Sequence, residues 1–322
     1  MRSYRRPLAC EAEGLTGVES FLALVGPTAS GKTAAALRIA EALGAEILSI
    51  DSMLVYRGMD VGTAKPTESE RARIPHHLVD MVEPSQPFSV ASFQVAARRA
   101  AEDVRRRGET PLLVGGSGLY FRAVVDDLEF PGTEAGVREA LEGEAAALGP
   151  DRMHRRLVEL DPVAASRIEP GNVRRTVRAL EVAAITGRTF SSFAAAWERY
   201  GPERVRAAGV RLGTQDLAAR VDARVQEMLG AGWLKEVEAL VARGLGGWLT
   251  ASQAIGYAEL ARHLAGELSL EDAVQQTVKR TRTLARRQLA WFRRDPRIRW
   301  FDVGIGGALE ATDEIASYLE GA

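Results

Sequence analysis

Gly26, Pro27, Thr28, Ala29, Ser30, Gly31, Lys32 and Thr33 stand between an apolar run, Phe21 to Val25, and an alanine-rich stretch from Ala34 to Leu43. The glycines let the backbone curl closely around an anion. Free N–H groups at the start of the following helix point at phosphate oxygens, with the helix dipole behind them. Lys32 adds a mobile positive charge, and the Thr33 hydroxyl is placed to ligate Mg²⁺. The spacing is G-x-x-x-x-G-K-[ST] between a strand and a helix, the context in which this pattern signifies a phosphate-binding P-loop and not a chance turn. A di- or triphosphate is the expected ligand.

In open parallel sheets, ligands bind beyond the carboxyl ends of the strands. Three such ends converge here: Gly26, Asp51 after the run Ala45 to Ile50, and Gly115 after Pro111 to Val114. Asp51 is the only carboxylate among them. Phosphoryl-transfer enzymes hold Mg²⁺ with an Asp at the end of a further apolar strand, and that position is Gly115-Gly116 in this chain. Asp51 either fills the metal role or serves as a general base; capping a turn is the plain alternative. The segment from Ser52 to Pro66 is too long for a tight turn and reads as a loop over the site. Its Arg57 and Lys65 either neutralise phosphate or face solvent. His76 and His77 lack metal-ligand spacing and read as packing or turn residues, and His154 and His263 as isolated surface groups.

These residues need a frame. The chain has 322 residues, a net charge of −1 and one cysteine, Cys10, so neither an internal disulfide nor a thiolate cluster is expected. The opening MRSYRRPLAC has no apolar stretch behind its basic residues, and Phe21 to Val25 is far too short to span a bilayer. The reading is of a cytoplasmic protein without a membrane partner. Strands at 21–25, 45–50 and 111–114 alternate with helices to Leu43 and from Val90 to Arg107, which implies a parallel sheet with crossover helices. From Asp126 to Tyr200 the pattern turns helical, then a strand near 209–212 resumes the sheet. Helices follow at 214–230, 232–243, 251–264 and 270–294, then a last strand at 299–303 and a final amphipathic helix. The expected fold class is α/β: a P-loop NTPase-like parallel sheet with helices on both faces and a helical insertion. Its divisions are a mobile lead-in at 1–19, the core at 20–125 and 203–322, and the insertion at 126–202.

One stretch departs from the overall charge balance. Lys279, Arg280, Arg282, Arg286, Arg287, Arg293, Arg294, Arg297 and Arg299 are opposed only by Asp295 and interleaved with Leu284, Leu289, Trp291, Phe292 and Trp300. This is either a basic nucleic-acid face or a core-packed helix with solvated charges.

An ordered set of segments resembles the bacterial tRNA dimethylallyltransferases. It comprises GPTASGKT, Asp51 to Pro66, Pro75-His-His-Leu-Val-Asp80, Gly115-Gly-Ser-Gly-Leu-Tyr120, Arg174 to Val182, Ala254-Ile-Gly-Tyr257 and Thr281 to Gln288. The resemblance covers about residues 20–303, and the N-terminal residues have no counterpart. It implies transfer of a dimethylallyl group from dimethylallyl diphosphate to N6 of adenosine 37, beside the anticodon of tRNAs that read codons beginning with U. The P-loop would then serve a diphosphate that leaves, which accounts for the missing strand-end Asp.

The same resemblance implies roles for single residues. Asp51 becomes the general base, Thr33 the Mg²⁺ ligand, and Lys32 and Arg220 partners of the diphosphate. Arg220 has a plain alternative in helical i,i+4 pairing. Contacts to the tRNA anticodon stem-loop fall to Asp51, Ser52, Met53, Leu54 and Ser117. Others fall to Arg174, Arg175, Thr176, Val177 and Arg178, and to Gln253, Ala254, Ile255, Gly256, Tyr257 and Ala258. The basic stretch contributes Arg286, Arg287, Gln288, Trp291 and Arg293. A monomer is expected. A free-nucleotide prenyltransferase would share the P-loop and Asp51 without needing the insertion or the basic helix. A small-molecule kinase would want the absent Asp, and a plain RNA-binding module would leave the P-loop unused.

Overall fold

Successive side chains of a strand point to opposite faces of its sheet, so a strand that is apolar throughout needs cover on both. β1 (Phe21–Val25) is such a strand. In the computed structural model, which describes residues 20–126, 128–201 and 204–321, it lies inside a sheet covered on both faces. The expected lead-in at 1–19, with Cys10, lies outside the described residues.

The other strands are β2 (Ala45–Ser49), β3 (His76–His77), β4 (Thr110–Gly115), β5 (Val205–Leu212) and β6 (Ile298–Val303). Their order is β3-β2-β4-β1-β5-β6, and every pairing is parallel. Leu24 of β1 pairs with Val114 of β4 and Ala208 of β5. On one face Leu24, Ile47, Leu112 and Val210 pack against helices Lys32–Leu43 and Thr312–Glu320. On the other face Val25, Leu48, Ile50 and Leu113 meet Phe93 and Ala97 of helix Val90–Arg106 and Phe121 of helix Gly118–Val125. The parallel α/β arrangement is the expected one.

Several boundaries differ from expectation for physical reasons. β3 has only two residues at the sheet edge, too short to leave a periodic signal. β5 starts at Val205, before the expected 209, because its pairing with Phe21 of β1 extends through Ala207-Ala208, which have little strand propensity of their own. The expected helix 251–264 is a 3₁₀ turn, Ala251–Gln253, and a separate helix, Tyr257–Leu264. Gly256 divides them at φ 88°, a left-handed conformation that glycine adopts freely.

Between β4 and β5 run helices Ala135–Leu148, Pro150–Leu160 and Val173–Thr186, which close around Leu141, Met153, Leu157, Val177 and Leu180. A buried charge network joins this segment to the sheet. Arg122 donates to the carbonyls of Trp197 (3.1 Å) and Arg199 (2.9 Å) and pairs with Asp126. Arg297 bonds Asp126 and Asp295, each at 2.7 Å. Each buried charge thereby has a partner, the condition under which burial is tolerated.

Candidate functional site

The phosphate loop leaves β1 at Gly26, where a Cβ would lie 2.9 Å from the Val210 carbonyl oxygen. It ends at Gly31, which caps helix Lys32–Leu43 at φ 82°. Lys32 folds back into the loop, its Nζ donating to the Pro27 carbonyl at 2.5 Å and the Ser30 hydroxyl at 3.2 Å. Burial, with the nearby Arg224 charge, brings the Lys32 pKa down to about 7 against a smaller opposing pull from Asp51. Thr33 is exposed on the wall of the same cleft.

Helix Thr214–Gly230 supplies two arginines one turn apart. Arg220 donates Nε to the Ala29 carbonyl and Nη1 to the Ile305 carbonyl, both at 2.6 Å. A Cβ on Gly31 would meet its guanidinium at 3.1 Å, so Arg220 lies directly on the phosphate loop. Arg224, which sequence reasoning missed, stands beside it. Burial lowers its pKa and the Asp51 charge works in the opposite direction. Its available signal was the i,i+4 spacing from Arg220 on one helix face.

Asp51 follows β2, and its Oδ1 accepts the Met53 N–H at 2.8 Å. β4 delivers Gly115, Gly116, Ser117 and Gly118 alongside. The helix Leu270–Phe292 packs closely against this glycine-rich turn. A Cβ on Gly116 would lie 2.4 Å from Gln288 Nε2, and one on Gly118 would lie 1.9 Å from the Trp291 indole. Ser117 caps helix Gly118–Val125 through the Tyr120 N–H at 3.4 Å.

Two cavities meet here, of about 470 Å³ and about 460 Å³. The first is lined by the phosphate loop, Thr33 and Arg220. The second is walled by Met53, Met228, Trp233, Leu284 and Trp291, with Arg280 and Arg287 at its edge. Thr28, Asp51, Thr63, Gly116, Arg224 and Gln288 line both. Asp51 and Arg224 therefore stand at the junction of a polar, cationic space and a largely apolar one.

The remaining expected residues divide. Ser52, Met53, Ser117, Gln253, Ala254, Ile255, Tyr257, Arg287 and Trp291 line the second cavity, and Leu54 the first. Gln288 reaches the phosphate loop, accepting the Thr28 N–H. Gly256 packs under Trp233, while Ala258 lies in the first turn of the helix Tyr257–Leu264. Arg286 and Arg293 are exposed on and just past the long helix. Arg174 and Arg175 are exposed, whereas Thr176 and Val177 are buried within the helical segment. Arg178 is held by Glu181 at 2.7 Å and by the carbonyls of Pro131 and Gly132. Arg174 donates to Gln253 Oε1 at 3.2 Å, joining the helical segment to the turn Ala251–Gln253.

The loop's own cations have partners. Lys65 binds Asp60 at 2.7 Å and Asp80 at 2.5 Å, and Arg57 pairs with Glu83 at 3.6 Å. His77 bonds Glu46 at 2.5 Å. His76 lines the first cavity with its Nε2 unpartnered among the described residues.

Comparison with known proteins bears on this geometry. Residues 54–295 match the family model described as IPP transferase, and residues 19–79 match that described as isopentenyl transferase. The chain is 50% identical over 302 residues to the tRNA dimethylallyltransferase of a Nocardioides species, covering 94% of this chain and 97% of that one. It is 49% identical to the tRNA dimethylallyltransferase of Salinispora arenicola, over 89% of this chain and 84% of the other. Among solved structures, the tRNA isopentenylpyrophosphate transferase of Bacillus halodurans superposes with a TM-score of 0.67 at 37% identity, over 94% of this chain and 97% of that one. A eukaryotic dimethylallyltransferase acting on tRNA gives 0.75 at 26% identity, over 93% and 77%.

Proposed function

The chain belongs to the IPP transferase family, and on that premise we propose that it transfers a dimethylallyl group from dimethylallyl diphosphate to N6 of adenosine 37 in tRNAs reading codons that begin with U. The observation that carries this reading is the placement of Asp51. It stands between a cavity shaped for phosphate and a second, apolar cavity bordered by the basic helix.

The chemistry sets the demands. The adenine N6 lone pair is delocalised into the ring, so the amine needs a base and an electrophile with a good leaving group. The N6 lone pair attacks the allylic C1, the C1–O bond breaks with its electrons leaving on diphosphate, and the N6 proton passes to the Asp51 carboxylate. Lys32, Arg220 and the N–H groups of the phosphate loop meet the charge growing on the departing oxygen. Arg224, at the junction, faces both that oxygen and Asp51. An anion beside Lys32 restores its proton, so the lysine is cationic when the diphosphate is in place.

The donor set suits Mg²⁺. Thr33 offers one hard oxygen next to the diphosphate space, and Mg²⁺ commonly binds through one or two protein oxygens plus phosphate oxygens and water. Bound there, the ion supplies further neutralisation of the leaving group. Among the described residues no cluster of three His, Cys, Asp or Glu side chains offers a rival cage.

We assign the RNA side to residues 126–202 together with Gln253 to Ala258 and Arg286 to Arg293. The first segment meets the anticodon stem through Arg174 and Arg175, and the other two meet the loop. Single-stranded loops with splayed bases are the usual targets of sequence-specific RNA readers. The test is to incubate the protein with labelled dimethylallyl diphosphate and unmodified tRNA, AMP, or ATP with nucleosides. Label in tRNA alone, without ATP consumption, is the expected result. Label in AMP would favour free-nucleotide prenylation, and ADP release coupled to product would favour a kinase.

A further inference from the structure

Helix Trp233–Ala242 touches the cleft only through its first residue, yet it binds two chain segments that shape the cleft. Trp233 is wedged between Gly62 and Gly256. A Cβ on either glycine would lie 2.0 Å from the indole. One turn on, the Glu236 carboxylate collects four hydrogen bonds. Its Oε2 accepts the backbone N–H groups of Asp60 at 2.8 Å and Val61 at 2.7 Å. Its Oε1 accepts the Gly62 N–H at 3.2 Å and the Tyr257 hydroxyl at 2.6 Å. The position in the first helical turn favours a carboxylate electrostatically.

The segments thus joined are remote in sequence. Asp60 to Gly62 lie within the loop that follows Asp51, and Tyr257 follows the turn at Gly256. Gly62, Thr63, Ala254, Ile255 and Tyr257 all line the second cavity, whereas Glu236 does not. Trp233 and Tyr257, both part of that wall, meet edge to face with ring centroids 5.7 Å apart. Three backbone N–H groups directed at one carboxylate hold a loop more firmly than a neutral acceptor would, because bonds to an ionised acceptor are about twice as strong as neutral ones.

We propose that Glu236 is a positioning residue for the RNA substrate: by pinning Asp60 to Gly62 against Tyr257, it builds in advance the wall against which the target base lies beside Asp51. The inference rests on reading the second cavity as the nucleobase side.

Three variants test it. In Glu236→Ala the KM for a tRNA anticodon stem-loop rises and kcat/KM falls, the latter by up to about 10²-fold if the wall shifts by an ångström. The KM for dimethylallyl diphosphate, which binds at the phosphate loop, stays within about twofold. Hydrogen exchange at the Asp60, Val61 and Gly62 amides accelerates, and exchange in the phosphate loop does not. Glu236→Gln recovers part of the loss: its amide oxygen still accepts from Asp60 and Val61 and its NH₂ can donate to the Tyr257 hydroxyl, while the Gly62 N–H loses its acceptor. If Glu236→Ala does not fold, Glu236→Asp decides. Its carboxylate is drawn back by one methylene, and a raised RNA KM with an unchanged diphosphate KM is expected. Wild-type kcat/KM for RNA in the folded variant, or equal losses for both substrates, overturns the role of Glu236. A wild-type protein that labels no RNA instead overturns the functional reading beneath it.

Discussion

The side-chain oxygen of Gln288 accepts the backbone N–H of Thr28 at 2.8 Å, joining two residues 260 positions apart in the chain. Through this bond the basic helix rests on the phosphate loop itself. The part of the molecule assigned to RNA and the part assigned to diphosphate therefore share a residue.

Removing that bond should affect both substrates. A neutral hydrogen bond contributes about 1 kcal/mol net, equivalent to roughly fivefold in an equilibrium. Gln288→Ala is expected to weaken pyrophosphate binding and to lower kcat/KM for RNA by that order each. Calorimetry and steady-state kinetics check it; an unchanged pyrophosphate affinity would show that the contact is idle.

Asp51→Asn keeps an oxygen to accept the Met53 N–H and loses the base. General-base catalysis contributes typically about 10²–10⁴-fold. Single-turnover prenylation should fall within that range while tRNA binding is nearly intact. A single-turnover rate within about threefold of wild type would remove Asp51 from the proton transfer.

The Lys32 pKa of about 7 gives diphosphate binding a pH dependence. Below that value the free protein already carries the ammonium; above it, binding an anion must draw a proton from solution. Affinity should therefore decline as pH rises above about 7, with proton uptake visible at pH 8 in calorimetry across buffers of different ionisation heat. Folding responds in the opposite sense. The unfolded chain keeps this proton up to about 10.5 and the folded chain loses it near 7, so this group's contribution to stability grows with pH between those values. Lys32→Met should flatten both dependences; a pH-independent wild-type affinity would rule out the coupling.

Arg286, Arg287 and Arg293 are assigned to phosphates of the anticodon arm. Each neutralised phosphate adds roughly 0.7–0.9 to the slope of log affinity against log salt. Replacing all three by Gln should lower the magnitude of that slope by about 2 or more, weaken tRNA binding, and leave pyrophosphate binding at the phosphate loop in place. Unaltered tRNA affinity at both low and high salt would reject the assignment and reopen free-nucleotide prenylation.

What the sequence disclosed depended on how local the signal was. The phosphate loop and Asp51 were legible because strand, turn and helix are contiguous there, and a strand end names the residue at the site. β3 left no trace because a two-residue edge strand has no period to detect. Gly256 falls inside a helical pattern in the sequence because its left-handed conformation serves Trp233, a packing partner 23 positions away. Arg224 and Glu236 sit at spacings that any amphipathic helix shows, and their meaning comes from partners some 170 residues distant, Asp51 and the Asp60–Gly62 backbone. Gln288 groups in the sequence with the RNA-facing residues around it; only the folded contact places it on Thr28.

The strand order β4-β1-β5 also dictates a schedule for synthesis. The strand that bears the phosphate loop gains its first neighbour early. Its second, β5, begins about 180 residues after Val25. At translation rates of about 5–20 residues per second, one edge of β1 waits roughly 10–35 s for its partner. During that interval the helical segment emerges and is able to close around its own apolar residues, while the unpaired edge offers a template for pairing with other chains. A ribosome that has finished the helices between β4 and β5 has yet to make Arg220, Arg224 and Gln288, so the phosphate site is still incomplete. The diphosphate can therefore stabilise the protein fully only after nearly the whole chain has been made, since Gln288 is among the last residues to join the site.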